Sequence, residues 1–329
     1  MEQTLTVKPR QMKGKVAVII LTAAALVLRI IGYLGTVVKT ILSPFSDVLD
    51  YIIICIINGK TISQSAIERR IEMLFEHEGI NIGDILSSLF SLTFYAFLNV
   101  LPYVLIILYV AFFYKKNKAA VIVPIAFGLF CLKDIISIVH TVITYIVQLI
   151  SELNYGFGDE LGVITSYIMF TITSVLFTLP YIIIFALLTI SALKGFTNKP
   201  LAIVPSAVGI VCYVLAASFS LFTILPMVIM GLTGYTLSYG EILMTLLSLI
   251  PTSINTVAFI SFFVAIIIFS AKNYIPEIIP MSQAKLEKLI ATKPAKALEI
   301  LTVRYESGKL SEEEYNARIA EIESKKATL

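Results

Sequence analysis

The sequence predicts an all-α polytopic membrane protein. It has about six transmembrane helices containing a repeated helical hairpin, followed by a small cytoplasmic C-terminal helical hairpin. Three observations predict this. Apolar stretches of about 30 residues recur along the chain, longer than the roughly 18–20 residues that a bilayer crossing requires. Of the 329 residues 58% are hydrophobic and only 14% charged, with a mean hydropathy of +0.91, whereas a soluble domain is nearer a quarter charged. The stretches also lack the period-two alternation of a barrel, so their backbone must be satisfied within helices.

Residues 1–15 form a basic N-terminus carrying Lys8, Arg10, Lys13 and Lys15, and residues 16–38 form a first span that includes Arg29. The apolar run ahead of Ala23-Ala24-Ala25 is only seven residues. That favours an uncleaved span over a secretory signal. Residues 39–84 are mixed and read as an extracytoplasmic segment. Its apolar run Tyr51–Ile57 is too short to cross, which leaves a re-entrant or interfacial path. An amphipathic helix follows, with Ser65 and Glu68 at capping-box spacing, Ile67, Ile71 and Leu74 on one face, and Gly79 to end it. Glu68, Glu72 and Glu76 recur every four residues beside His77, a pattern that a solvated helix face explains better than a metal site.

Residues 85–271 hold five further spans, near 85–114, 119–150, 163–193, 200–231 and 241–271. At 1.5 Å per residue each reaches about 45 Å, so they tilt, kink or project beyond a hydrocarbon layer of about 30 Å. Pro102, Pro180 and Pro251 sit inside three of them, where a missing N–H favours a kink.

Within these spans a hairpin is written twice. Leu101-Pro102-Tyr103, the lysine turn 115–118, Val123-Pro124, Gly128 and Cys131 match Leu179-Pro180-Tyr181, the turn 194–199, Val204-Pro205, Gly209 and Cys212. The offset is 78 before the turn (102 to 180) and 81 after it (128 to 209). The two copies run in the same direction, so a pseudo-symmetry axis lies along the membrane normal. The last span could pair with the first as a third, discontinuous hairpin, with Lys272 closing one and Lys13 opening the other.

The two lysine turns hold five Lys between them, while 151–162 and 232–240 hold no Lys or Arg. The positive-inside rule then places the lysine turns and both termini in the cytoplasm of a multi-pass protein of the cell membrane. The net charge of +3 gives no reason to invoke nucleic acid, and the lipid bilayer is the first partner.

No cofactor, metal or catalytic motif is present. His77 and His140 are the only histidines, and there is no HExxH, G-x-S-x-G, P-loop or G-x-G-x-x-G. Cys55, Cys131 and Cys212 lack metal spacing and read as small buried hydrophobes. The candidate functional residues are therefore charges inside the membrane. Arg29 lies 14 residues beyond Lys15, and Asp134 lies 16 beyond Lys118, about 21 and 24 Å along their helices. This similar depth predicts an Arg29–Asp134 pair, with Lys133 pointing some 100° away to the outer interface or a water pocket. The competing reading is that both charges sit where long helices leave the bilayer.

After Lys272 the composition changes, with ten Lys or Arg against nine Asp or Glu in 272–329. Residues 272–293 form a linker, within which 282–292 could lie as a basic amphipathic segment on the membrane surface. Residues 294–329 then form a helical hairpin. Pro294 starts it, Leu298, Leu301 and Tyr305 share a face, and Gly308 stops the first helix. Ser311 and Glu314 cap the second helix, which carries Tyr315, Ile319 and Ile322.

On Leu298, Leu301, Tyr305, Gly308, Leu310, Ser311, Glu313-Glu314-Tyr315 and Ile322, residues 294–326 resemble the SHOCT family. This is the short C-terminal domain found at the ends of many prokaryotic proteins, and it usually has Phe where this chain has Tyr315. The resemblance implies a prokaryotic source and an interaction module, with no chemistry of its own. Leu298, Leu301, Tyr305, Tyr315, Ile319 and Ile322 are the candidate interaction face, toward a second copy or a protein partner.

Three functions remain in view. A scaffold or regulatory protein fits the repeat and the tail, a transporter or channel fits the intramembrane charges, and a lipid-acting enzyme has no motif in its favour. The lysine asymmetry makes a direct prediction. Reporter fusions after Lys118 and after Asp159 should report opposite compartments, and equal signals would contradict the six-span topology.

Overall fold

The computed structural model describes residues 12–76, 82–114, 117–154, 160–232, 238–273, 275, 278–306 and 308–327. Helices account for nearly all of these residues, and no strand occurs among them. In chain order they are α1 (Lys15–Leu42), α2 (Ser46–Ile57), α3 (Gln64–Glu76), α4 (Ile82–Leu108), α5 (Ile122–Asn154), α6 (Glu160–Leu193), α7 (Pro200–Leu232), α8 (Tyr239–Lys272), α9 (Gln283–Thr292), α10 (Pro294–Glu306) and α11 (Glu312–Ala327). Six stretches are long and apolar enough to cross a membrane: Lys15–Ile57, Ile85–Phe113, Ala119–Ser151, Ile164–Leu193, Pro200–Pro226 and Tyr239–Lys272. The protein is thus a multi-pass α-helical membrane protein.

The first stretch is longer than the expected span of 16–38. Helix α1 runs to Leu42, passes through a single 3-10 turn at Ser43–Phe45, and continues as α2 to Ile57. Pro44 stands at the start of that turn, where its missing N–H breaks the α-helical ladder without ending the helical path. The run Tyr51–Ile57, too short to cross by itself, is therefore the end of a longer apolar helix pair. Helix α3 buries Leu74 and leaves Glu68, Glu72 and Glu76 in solvent. Among the described residues no group of three side chains could hold a metal, and His77 and Gly79 lie outside them.

The expected cap at Ser65 and Glu68 is corrected. The helix begins at Gln64, Ser63 accepts the first backbone bonds through its carbonyl, and Glu68 bonds Gln64 Nε2 at 2.8 Å. A capping box forms at Ser238/Glu241, with bonds of 2.9 and 3.2 Å, and the expected one at Ser311/Glu314 forms with bonds of 3.1 and 3.2 Å.

The fold divides into two compact units. One comprises Met1–Thr22, Pro102–Gly209 and Phe263–Leu329; the other comprises Ala23–Leu101 and Ile210–Phe262. The first unit gathers the lysine-bearing ends of three hairpins. Its core is a chain of aromatic rings. Tyr103 meets Phe130 edge-on at 5.3 Å, Phe130 stacks on Phe185 at 4.7 Å, and Phe185 lies 5.8 Å from Phe263. Ring pairs at these separations add to the packing that holds helices together in lipid, where burial of apolar area gives little.

At the turn 194–199, Gly195 and Phe196 both adopt positive φ, 66° and 55°. The left-handed backbone costs a non-glycine residue about 1–2 kcal/mol. Full burial of Phe196, edge-on to Phe269 at 5.4 Å, offsets that cost.

The third hairpin is closed by a side chain. Asn273, 2% exposed, accepts from the Lys13 N–H through Oδ1 at 2.9 Å and donates Nδ2 to the Lys13 carbonyl at 2.9 Å. Tyr114 Oη also donates to Asn273 Oδ1 at 3.4 Å, and Lys15 Nζ donates to the Ala111 carbonyl at 2.8 Å. Ala111 lies in a wide π turn, Tyr109–Phe113, at the end of α4.

In the second unit α1 and α8 lie against each other where side chains are small: Gly35 meets Pro251, and Gly32 meets Asn255. Asp50 caps the start of α8, accepting from the Tyr239 and Gly240 N–H groups at 2.7 and 3.3 Å. A carboxylate there suits the positive end of the helix dipole. Gly240 rests on the Ser46 carbonyl, leaving no room for a Cβ.

The repeated glycines are not equivalent in space. A Cβ on Gly209 would meet the Phe263 ring at 2.6 Å, while Gly128 faces open space. Gly209→Ala should therefore destabilise the detergent-solubilised protein by about 1–3 kcal/mol through overpacking, and Gly128→Ala should be neutral. Thermal melts showing equal effects of the two would contradict the packing.

Candidate functional site

Within the second unit, α1, α4 and α8 line a half-open pocket of about 110 Å³ bordered by Arg29, Tyr33, Thr36, Leu92, Tyr95, Ala96, Asn99, Val100 and Asn255. Helical periodicity builds it. Arg29, Tyr33 and Thr36 recur at 4 and 3 on α1, Leu92, Tyr95 and Asn99 at 3 and 4 on α4, and Asn255 precedes Phe259 by one turn on α8. Gly32 lets Asn255 approach α1, since a Cβ there would lie 2.5 Å from Asn255 Oδ1.

Arg29 is the pocket's only charged residue. Its Nη2 donates to Asn99 Oδ1 at 2.5 Å, and its guanidinium carbon lies 4.3 Å from the Phe259 ring centroid. Asn99 is held in turn by its own helix, donating Nδ2 to the Tyr95 carbonyl at 2.8 Å. Tyr33 and Thr93 share a hydroxyl bond of 3.0 Å. A charge at mid-helix costs about 2.5–3.5 kcal/mol on insertion scales. A hydrogen bond to a charged group returns about 1.5–3 kcal/mol, and a desolvated cation–π contact up to about 2. These partners offset the cost of burial but leave the charge itself uncompensated. The Arg29 Nε is buried and has no acceptor.

The other predicted residues lie elsewhere. Asp134 is 5% exposed on α5 and pairs with the neighbouring Lys133. Lys133 was expected to turn away around the helix; its flexible stem instead brings Nζ back to the adjacent carboxylate, so both charges are sequestered together. Arg29 and Asp134 belong to different units, and each has partners within its own.

The tail face turns inward. Leu301 and Ile322 are buried in a core with Ala297 and Ile300, and α9 contributes Leu286 and Ile290 to it. The segment 282–292, expected on the membrane surface, thus directs its apolar i, i+4 pair at the tail core. Leu298 and Tyr315 pack at the edge of that core, and Tyr305 and Ile319 are half-buried. Tyr305 and Tyr315 stack at 4.5 Å, and the Tyr315 and Thr302 hydroxyls lie 3.0 Å apart.

The tail is also tied to the second lysine turn. Lys199 pairs with Glu299 at 3.3 Å, Lys296 Nζ donates to Asn198 Oδ1 at 3.3 Å, and the Ile278 N–H donates to the Leu193 carbonyl at 3.0 Å.

No family model, curated protein or solved structure matches the chain.

If α9 is part of the tail core, Leu286→Asp should loosen the tail as much as Leu301→Asp does. Limited proteolysis of the full protein reads this out, and a Leu286→Asp tail as resistant as the original would contradict the three-helix core.

Proposed function

We propose that the protein is a scaffold or regulatory component of the cell membrane, with both termini in the cytoplasm and a SHOCT-like tail that mediates assembly. The observation that carries this reading is the tail's attachment. Helix α10 is held to the turn between α6 and α7 by Lys199–Glu299 and Lys296–Asn198, and the linker by Ile278 and Leu193. A module seated on a transmembrane hairpin can pass the state of one to the other.

Its apolar centre is closed on itself, so the edge available to a second copy or another protein is the half-buried strip of Leu298, Tyr305, Tyr315 and Ile319. A partly exposed salt bridge contributes about 0–1 kcal/mol. The dock can therefore yield to a competing partner at modest cost.

A second reading, a transporter or channel for a small solute, is favoured by one observation, the pocket around the charged Arg29 at the middle of three helices.

The tail reading predicts that the full chain in gentle detergent has a larger assembly mass by light scattering than a chain ending at Pro280. Double substitution of Tyr305 and Ile319 by Asp should reduce the mass to that of the shortened chain. Equal masses for all three, with the same co-purifying proteins, would overturn it.

A further inference from the structure

We propose that the Arg29 pocket binds a small oxyanion, a phosphate or carboxylate group, with the guanidinium as its counter-ion. The inference is independent of the role given to the tail. Three observations carry it. First, the lining holds one cation and no carboxylate. Asp50 and Glu241, two acids of this unit, are both engaged in capping α8. Second, Arg29 is only partly satisfied. Asn99 and Phe259 take one Nη and one face of the guanidinium, and Nε is buried without an acceptor. Third, one further polar group on the wall suits an anion: among the described residues no partner bonds the Asn255 amide, which can donate, whereas the Tyr33 and Thr36 hydroxyls already give their protons to Thr93 and to the Gly32 carbonyl.

A planar guanidinium fork matches the two oxygens of a carboxylate or phosphate. A mid-membrane ionisable residue ordinarily has a counter-charge or a hydrated cavity. The pocket supplies the cavity, and the oxyanion supplies the charge. The same chemistry can come from a lipid headgroup or from a free anion, so the test separates the two.

The full chain, purified in mild detergent, is melted with inorganic phosphate, with acetate and with chloride at matched ionic strength. Native mass spectrometry then compares retention of phosphatidylglycerol with that of a diacylglycerol of the same chains. Stabilisation by phosphate or acetate over chloride identifies a free-anion site. Selective retention of phosphatidylglycerol identifies a headgroup site. Either response should weaken about tenfold or more in Arg29→Gln, the effect of losing a charge-assisted hydrogen bond.

Asn99→Asp places a carboxylate within reach of Arg29. It should fold at least as well as the original and bind the oxyanion equally poorly, which keeps the test decisive if Arg29→Gln does not fold. The proposal is overturned if the unmodified chain discriminates neither pair of probes, or if Asn99→Asp binds as tightly as the original.

Discussion

The bonds between Asn273 and Lys13 hold the first and last transmembrane helices together at their lysine-bearing ends. In sequence these helices are the most distant pair in the bundle, 260 residues apart at this contact. Loop closure alone gives them no reason to be neighbours. One buried amide supplies both a donor and an acceptor to the Lys13 backbone, at 2.9 Å each. It thereby satisfies the backbone just ahead of α1, where the first groups of a helix lack intrahelical partners. Because Tyr114 reaches the same Oδ1, the end of the first repeated hairpin meets the discontinuous one. Asn273 also begins the segment leading to the tail, so the dock on the second lysine turn starts from a fixed point.

The charges follow a consistent logic inside each unit. Asp134 has Lys133, Asp50 has the start of α8, and Glu299 has Lys199. Several hydroxyls are satisfied by their own helices: Thr22, Thr36, Ser206 and Ser270 each donate to the carbonyl four residues earlier, at 2.7–3.0 Å. Such bonds let polar side chains enter apolar helices without a partner on another helix. Arg29 departs from this pattern, since its partners are a neutral amide and an aromatic face. Its pocket is accordingly where the bundle most resembles a binding site.

Much of the fold was legible because apolar length and turn chemistry act locally. The six stretches follow from run length, and the tail helices from Pro294, Gly308 and the reciprocal Ser311–Glu314 cap. The partners of Arg29 were not legible. Depth along a helix can be counted from flanking lysines, but rotation about the helix axis, which brings Asn99 and Phe259 to Arg29, cannot be counted that way. The overlooked signals were Asn99 and Asn255, amides in the middle of apolar helices, where polar side chains commonly join helices. Lys133 reaches the carboxylate of its neighbour because 100° between adjacent Cβ atoms is easily bridged by a four-carbon stem. The apolar pair Leu286 and Ile290 lies within 282–292, whose basic amphipathic pattern suits a membrane surface and a protein core alike. Only the position of Ile300, Leu301 and Ile322 decides between them. Gly128 and Gly209 are identical in the repeat and differ in space, because only the second lies opposite a bulky ring.

Disulfide trapping tests the central contact most directly. With Cys55, Cys131 and Cys212 replaced by Ala, Lys13→Cys and Asn273→Cys are introduced together and the chain is oxidised mildly in native membranes. Lys199→Cys with Glu299→Cys serves as a comparison at the tail dock. The account predicts rapid intramolecular cross-linking of the 13–273 pair, even in chains shortened at Pro280 to remove the tail. Failure of that pair to cross-link while the 199–299 pair does so readily would contradict it.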